Sequence, residues 1–336
     1  EVISGAFNLA VNFEVQPTEN NNEIRVNLSQ TDELRLFNPM VSCEPKPRDY
    51  LQSGINVMLR KGLSFSGGWS VTVTGDLPIG KGVSSSSALC TGWIRLLSAI
   101  ADEPPELSSR EIAELAFQTE VAEFNEPGGM QDHLASAIGG LLHLDFQGST
   151  DRIPKITQLN PVPKGLLLVD SGETKETIGM ISRIRTAVES QAREVWGDSG
   201  SLHLRCWEGD RRQAIGVREE YRELESTLIN RDMVREFVKR WPGNEDGFQE
   251  VLPELMNRHH EELATGIGSS SVAIDRLRSI ALDAGALSGK VIGSGGGGCL
   301  LIYAPGHEKE VTATLNSHGA TVWPIRFSGG VSLNGL

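Results

Sequence analysis

The run Pro78-Ile79-Gly80-Lys81-Gly82-Val83-Ser84-Ser85-Ser86-Ser87-Ala88 separates two patterns of different period. Before it, Trp69, Val71 and Val73 alternate as in a strand that runs into Gly75-Asp76-Leu77-Pro78. After it, Ala88, Leu89, Trp93, Leu96, Leu97 and Ile100 recur at helical spacing. The order is strand, glycine loop, helix. Glycines let the backbone approach a ligand closely. The first N–H groups of a helix have no internal partner and sit at the positive end of its dipole, so a phosphate chain suits such a turn. Serine hydroxyls add oxygens that can bind a hard cation such as magnesium together with phosphate. Taken alone, a flexible loop and a helix cap account for the same residues. A Walker loop is excluded: Gly75, Gly80 and Lys81 fit G-x-x-x-x-G-K, but Gly82 stands where Ser or Thr is required.

A second glycine run, Gly293-Ser294-Gly295-Gly296-Gly297-Gly298, formally contains G-x-G-x-x-G. A dinucleotide fingerprint must open a helix, whereas Cys299 to Tyr303 reads as strand and Pro305 follows. The run is expected to be a tight strand-to-strand connection whose backbone approaches another loop.

Working outward, Phe7, Leu9, Val11, Phe13 and Val15 alternate, as do Ile24, Val26 and Leu28, which predicts an antiparallel hairpin. A helix is expected around Tyr50 to Arg60. Another should start at Ser108 or Ser109, with Glu111 completing a cap, and run to about Phe124, where Asn125-Glu126-Pro127-Gly128-Gly129 breaks it. A short helix from Met130 to Ile138 leads into a strand from Leu141 to Phe146. The polar stretch Gln147 to Lys155 marks a boundary, giving domains 1–155 and 156–336. The second domain opens with a buried strand, Gly165 to Asp170, and is helical and charged through Gly285. It closes with strands at Val291-Ile292, Leu300 to Tyr303 and Thr321 to Phe327, and a helix near His307 to Ser317.

A length of 336 residues suits two domains, and 39% hydrophobic with 22% charged residues is an ordinary globular composition. Cys43, Cys90, Cys206 and Cys299 form no C-x-x-C pair, which argues against a zinc site or disulfide framework and fits a reducing cytoplasm. The net charge of −13 repels nucleic acid and offers no basic membrane patch, so any anionic ligand must be held locally. No apolar run reaches the length of a membrane span, and the start has no signal-peptide regions. Glu1 leads at once into alternating apolar residues, which predicts that the natural start lies upstream.

Two carboxylates stand out. Glu120 shares i, i+4 spacing with Ile112, Ala116 and Phe124, which places an acid on the apolar stripe of its helix. A magnesium ion shared with a serine oxygen or a salt bridge near the helix end would each satisfy it. Asp132 lies just beyond the glycine turn, in the first helical turn where Asp is common. His133, His259 and His260 have no metal-ligand spacing and are expected in solvated or capping roles.

The stretch from Pro78 to Ala88 resembles the second motif of the GHMP kinases, P-x-G-x-G-L-[GS]-S-S-[AS], with Val83 replacing leucine, and Gly293 to Gly298 resembles their third. Glu120 and Asp132 are separated as the magnesium-binding glutamate and catalytic aspartate are in the galactokinase branch, with Pro127 and Gly139 in step. Tyr50 to Leu89 is most similar to galactokinases and arabinokinases, and Gly139 to Phe146 to heptose kinases. His133 stands where galactokinases have glutamine. The first family motif, with its arginine, would precede Glu1.

This resemblance implies an α+β fold of two domains, a ribosomal-protein-S5-like N-terminal domain and a ferredoxin-like C-terminal one, with ATP as co-substrate. Pro78, Gly80, Gly82, Val83, Ser84, Ser85, Ser86 and Ser87 would line the ATP phosphates, and Gly293, Gly295, Gly296, Gly297 and Gly298 would support that loop. Ser86 and Glu120 would hold Mg2+, and Asp132 would be catalytic. The implied activity is transfer of the γ-phosphate to a monosaccharide hydroxyl at the anomeric position. The alternatives are a mevalonate-type or heptose-phosphate kinase, or a non-catalytic sugar and ATP sensor. Retention of Glu120 and Asp132 favours an enzyme.

Overall fold

The computed structural model describes residues 1–20, 22–126, 128–146, 154–174, 177–197, 204, 210–216, 219–293 and 295–334. The chain forms two compact units. The N-terminal unit comprises Ser4–Ile79, Ser84–Leu141 and Phe327–Leu336, and the C-terminal unit Glu1–Ile3, Gly80–Val83 and Leu142–Arg326. The division at Leu141 falls before the stretch expected to be the boundary, of which residues 147–153 lie outside the described residues. The chain also returns to its first unit at the end, a long-range exchange that a polar linker cannot signal.

In order, the chain runs through β1 (Val2–Gly5), β2 (Val11–Thr18), β3 (Ile24–Leu28), β4 (Glu33–Phe37), α1 (Tyr50–Arg60), β5 (Gly68–Gly75), α2 (Ser85–Ile100) and α3 (Ser109–Phe117). A π-helical turn, Gln118–Ala122, continues α3, and α4 (Gln131–Ile138) follows. The main sheet of the N-terminal unit has the order β2-β5-β3-β4. The expected hairpin is therefore wrong: β5 lies between β2 and β3, antiparallel to the first and parallel to the second. Gly68 makes room for it, since a Cβ there would stand 1.8 Å from the Asn20 carbonyl oxygen, and Trp69 N–H then bonds the Glu23 carbonyl. Alternation marks strands but not their order. Phe7 and Leu9, read as part of β2, precede it, and Phe7 instead forms an isolated bridge with Phe327.

The helices cover one face of this sheet. Leu51, Ile55 and Met58 on α1 and Trp93, Leu96 and Leu97 on α2 are buried, as their spacing predicts. The Trp93 indole N–H donates to the Leu51 carbonyl at 2.9 Å, which satisfies its one polar atom inside the core. Asp49 caps α1, and Ser108 with Glu111 forms a reciprocal cap on α3.

The C-terminal unit continues with β6 (Leu141–Asp145), β7 (Lys155–Gln158), β8 (Leu166–Asp170), α5 (Thr177–Trp196), α6 (Asp210–Ile215), α7 (Arg222–Lys239), α8 (Phe248–Glu261) and α9 (Val272–Asp283). It ends with β9 (Ser288–Val291), β10 (Cys299–Tyr303), α10 (Glu308–Ser317) and β11 (Thr321–Ile325). β6 pairs antiparallel with β7 in a sheet ordered β1-β6-β7. The larger sheet is antiparallel throughout, in the order β11-β8-β10-β9. Strand, helices, two strands, helix and strand in that order make the expected ferredoxin-like layer. Leu167, Val169, Val291, Leu300 and Ile302 pack on one of its faces against α9 and α10. Among the described residues no helix is long and apolar enough to cross a membrane.

Candidate functional site

α2 begins without the usual cap. Ser84 occupies the N-cap position in the left-handed region, at φ 59° and ψ 37°, and its side chain makes no capping bond. Its carbonyl accepts from Ala88 N–H at 3.0 Å, so the helix starts firmly. The N–H groups of its first turn gain no acceptor from the cap. Gly80 and Gly82 also have positive φ, 70° and 78°, so left-handed residues recur at every second position up to Ser84.

In the N-terminal unit, the serines of this first turn meet Glu120. Ser87 Oγ donates to Glu120 Oε2 at 2.6 Å, and the Ser86 hydroxyl on the preceding residue also favours the charged form of the carboxylate. Glu120 sits on the π-helical turn after α3, where the expected helix to Phe124 loses its α register. Such single-turn expansions re-aim side chains and recur at functional sites. His133 on α4 brings Nε2 to 2.7 Å from the same Glu120 oxygen. Its ring is 2% exposed and lies edge-on to Phe117 at 5.6 Å. Both ring nitrogens are buried: Nδ1 has no hydrogen-bond partner among the described residues, and Nε2 meets Glu120 as a close ion-pair contact without hydrogen-bond geometry. Burial pushes the Glu120 carboxyl up, but the His133 ring against it, then the Ser86 and Ser87 hydroxyls, outweigh it and hold the group below the usual carboxylate range.

Asp132 precedes His133 in the first turn of α4 and is half-buried. The sequence thus brings Ser86, Ser87 and Glu120 together, with Asp132 one residue from their fourth neighbour. The solvated role expected of His133 is incorrect, because Phe117 and Glu120 enclose it. The same holds for His260, which is 4% exposed, accepts from Val291 N–H and faces Asp275 Oδ1 at 3.1 Å. The signal for His133 was its own position: three residues after Met130 and one before Leu134, both buried, it falls within the apolar face of α4.

In the C-terminal unit, the glycine run connects β9 to β10. Gly298 lies against Lys81, where a Cβ would stand 2.4 Å from the Lys81 carbonyl oxygen, and Cys299 N–H bonds that carbonyl at 3.0 Å. Gly295 lies instead on the Ser269 carbonyl, Gly296 near Met180 and Gly297 near Glu173. The Lys81 ammonium pairs with Asp170 Oδ1 at 3.0 Å and donates to the Glu173 carbonyl at 3.2 Å. Motif spacing gave no sign of this ion pair, whose partners are 89 positions apart. Ser171 N–H and Oγ both donate to the Gly298 carbonyl.

The hydroxyls and carboxylate around Glu120 are hard oxygen donors, which suits magnesium better than a soft metal. Among the described residues no group of three His, Cys, Asp or Glu side chains could hold a metal alone. Magnesium commonly takes one or two carboxylates and completes its shell with water and phosphate oxygens.

Residues 49–140 match the family described as GHMP kinases N terminal domain, and residues 245–321 match GHMP kinases C terminal. The mevalonate kinase of Pyrococcus abyssi is 28% identical over 83% of this chain and 72% of its own length. The galactokinase of Mycobacterium bovis is 26% identical over 76% of this chain and 69% of its own. The crystal structure of Lactococcus lactis galactokinase complexed with galactose superposes with a TM-score of 0.77 over 98% of this chain and 88% of that one, at 15% identity. The two matched regions leave residues 141–244 between them outside the family models. This chain therefore belongs to the GHMP kinases, phosphotransferases that use ATP to phosphorylate a hydroxyl group of a small molecule.

Proposed function

We propose that this protein transfers the γ-phosphate of ATP to the anomeric hydroxyl of a monosaccharide, in the manner of a galactokinase. The observation that carries the reading is the hydrogen bond of Ser87, beside Ser86 at a helix start without a side-chain cap, to the Glu120 carboxylate. The first-turn amides hold the anionic tail of ATP, supplying the fixed positive field that phosphoryl transfer needs. Ser86 and Glu120 would hold Mg2+, which when bound neutralises charge on the phosphates. Asp132 accepts the proton of the sugar hydroxyl. The hydroxyl oxygen bonds to the γ-phosphorus, the bridging P–O bond to ADP breaks, and its electrons leave with ADP. Positioning and charge neutralisation supply most of the rate in such a transfer.

The sugar is favoured by the resemblance of Tyr50 to Leu89 and Gly139 to Phe146 to sugar-kinase sequences. Mevalonate is the second reading, favoured by the match to the Pyrococcus abyssi enzyme over 83% of this chain. A screen of ATP consumption against free sugars, sugar phosphates and mevalonate decides between them. Turnover with a free hexose and none with mevalonate is expected; the reverse overturns the sugar reading.

A further inference from the structure

β4 is the terminal strand of the N-terminal unit's main sheet, and its outer edge meets no strand among the described residues. The registers assign every strand residue to a face. Val26, Val71 and Val73 turn inward with Arg35 and Phe37, whereas Leu34 stands beside Asn27 and Leu36 beside Arg25 on the outer face. That face is polar on the other strands, as Glu14, Thr72, Asn27 and Arg25 show, and becomes apolar only at its edge. Leu34 and Leu36 are 60% and 57% exposed, and Met40 and Val41 in the loop that follows are 58% and 50% exposed. Single exposed leucines are ordinary. Four large apolar side chains within eight positions along an open strand edge are not, because such an edge invites another strand.

We infer that this edge is the seam of a homodimer, in which β4 pairs antiparallel with β4 of a second copy and joins two four-stranded sheets into one. Charge selects the partner and the register. In a two-fold antiparallel pair the outer face of one copy continues the outer face of the other, so the axis falls on a residue. With the axis at Arg35, two guanidinium groups oppose each other; with it at Glu33, two carboxylates do. Both are unfavourable directly across a sheet. With the axis at Leu36, Arg35 would oppose Phe37 and Glu33 would face no charge, whereas with it at Leu34 the leucine meets its own equivalent on the apolar face. Glu33 then meets Arg35 of the second copy, and the symmetry makes this pair twice. Leu36 lies diagonal to Leu34 of the second copy, within reach of a long side chain. Within one copy the Arg35 guanidinium lies 5.1 Å over the Phe37 ring, pairs with Asp49 at 2.5 Å and reaches Glu33 at 3.6 Å, so the pairs across the seam extend a charge network already present on the strand.

Light scattering across the micromolar range tests the inference on the full chain. The wild type is expected at twice the mass of one chain, and Leu34→Glu with Leu36→Glu is expected to give monomers with unchanged unfolding temperature and unchanged ATP turnover. Glu33→Arg should also lose the dimer, and adding Arg35→Glu should restore it. Arg35→Glu could unfold the edge through Asp49, so a second probe is Leu34→Cys in a Cys43→Ser background. Mild oxidation should give a covalent dimer there, and none with Asn27→Cys in the same background. A monomeric wild type overturns the inference, whether the patch is solvent-exposed or covered by another part of the chain. So does a dimer that survives both glutamates, or equal cross-linking at positions 27 and 34.

Discussion

His133 Nε2 stands 2.7 Å from Glu120 Oε2, the oxygen that also accepts from Ser87 Oγ, so one carboxylate oxygen ties the π-helical turn to both α2 and α4. The contact is buried, and losing one partner leaves the other desolvated. His133→Leu is therefore expected to lower the unfolding free energy by about 1–3 kcal/mol, the cost of stranding a buried polar group. His133→Gln keeps an N–H donor and should recover much of the loss. Urea denaturation measures both, and equal destabilisation by Leu and Gln would deny the contact that role.

The lowered Glu120 carboxyl makes stability depend on acid. Its folded-state value lies below its unfolded one, so its contribution is complete above the ordinary carboxylate range and disappears as pH falls through the folded value. The gap between wild type and Glu120→Gln in unfolding midpoint should be widest near neutrality and narrow steadily toward strong acid. A gap that widens on acidification reverses the sign and refutes the assignment. The same variant, like Ser86→Ala, should need more magnesium for half-maximal turnover.

Asp132 is assigned to the acceptor hydroxyl and not to the nucleotide. Asp132→Asn should accordingly lose turnover by a factor of about 1000 or more, within the range of a lost proton acceptor and misplaced nucleophile. Binding of ADP, followed by calorimetry, should stay within about twofold, well inside the tenfold that 1.4 kcal/mol represents. A fully active variant would remove Asp132 from the chemistry.

How far these residues were legible in the sequence depends on whether local pattern or long-range contact fixes them. The span of α1, Tyr50–Arg60, and the cap at Ser108 follow from spacing and short-range hydrogen bonds, and both stand where expected. The strand-to-strand nature of the second glycine run was legible too, because the residues after it, Cys299 to Tyr303, form a short apolar run that Pro305 follows closely. The place of β5 between β2 and β3 was not, since it rests on Gly68 passing close to the Asn20 carbonyl, a contact 48 positions apart. The π-helical turn at Gln118–Ala122 inserts one residue per turn without changing composition, so the apolar stripe alone extended the helix too far. His133 looked polar by type and was buried by context.

Lys81 and Asp170 are each less than one-fifth exposed and lie 3.0 Å apart within the C-terminal unit. Breaking such a half-buried pair strands one charge, so Asp170→Asn alone and Lys81→Met alone should each cost about 2 kcal/mol, between the values for exposed and buried pairs. The double variant should cost less than the two single losses added together, and a double-mutant cycle measures the difference. Strict additivity would mean that the pair contributes nothing to stability.

Lys290 offers a test at the other end of the pH scale. Burial pushes its ammonium down to about 8, and Nζ donates to the Val291 carbonyl at 2.9 Å, an acceptor that carries no full charge. Nearby, His259 is pushed down by burial and then by Lys290 itself, which places two cationic groups in competition within one part of the C-terminal unit. An unfolded lysine keeps its proton to about 10.4, so between about 8 and about 10.4 the unfolded chain binds more protons than the folded one. Stability from this group must then rise with pH across that window, with the same sign as the dependence of Glu120 but at the alkaline end. Below it, the folded protein carries the penalty of a partly buried charge. Lys290→Met retains the stem and removes the ammonium, so it should be more stable than wild type at neutral pH and lose that advantage as pH approaches 10. Thermal unfolding at stepped pH, compared between the two proteins, isolates this group from every other that titrates in the range. A constant difference from pH 7 to 10 would place the Lys290 ammonium in water.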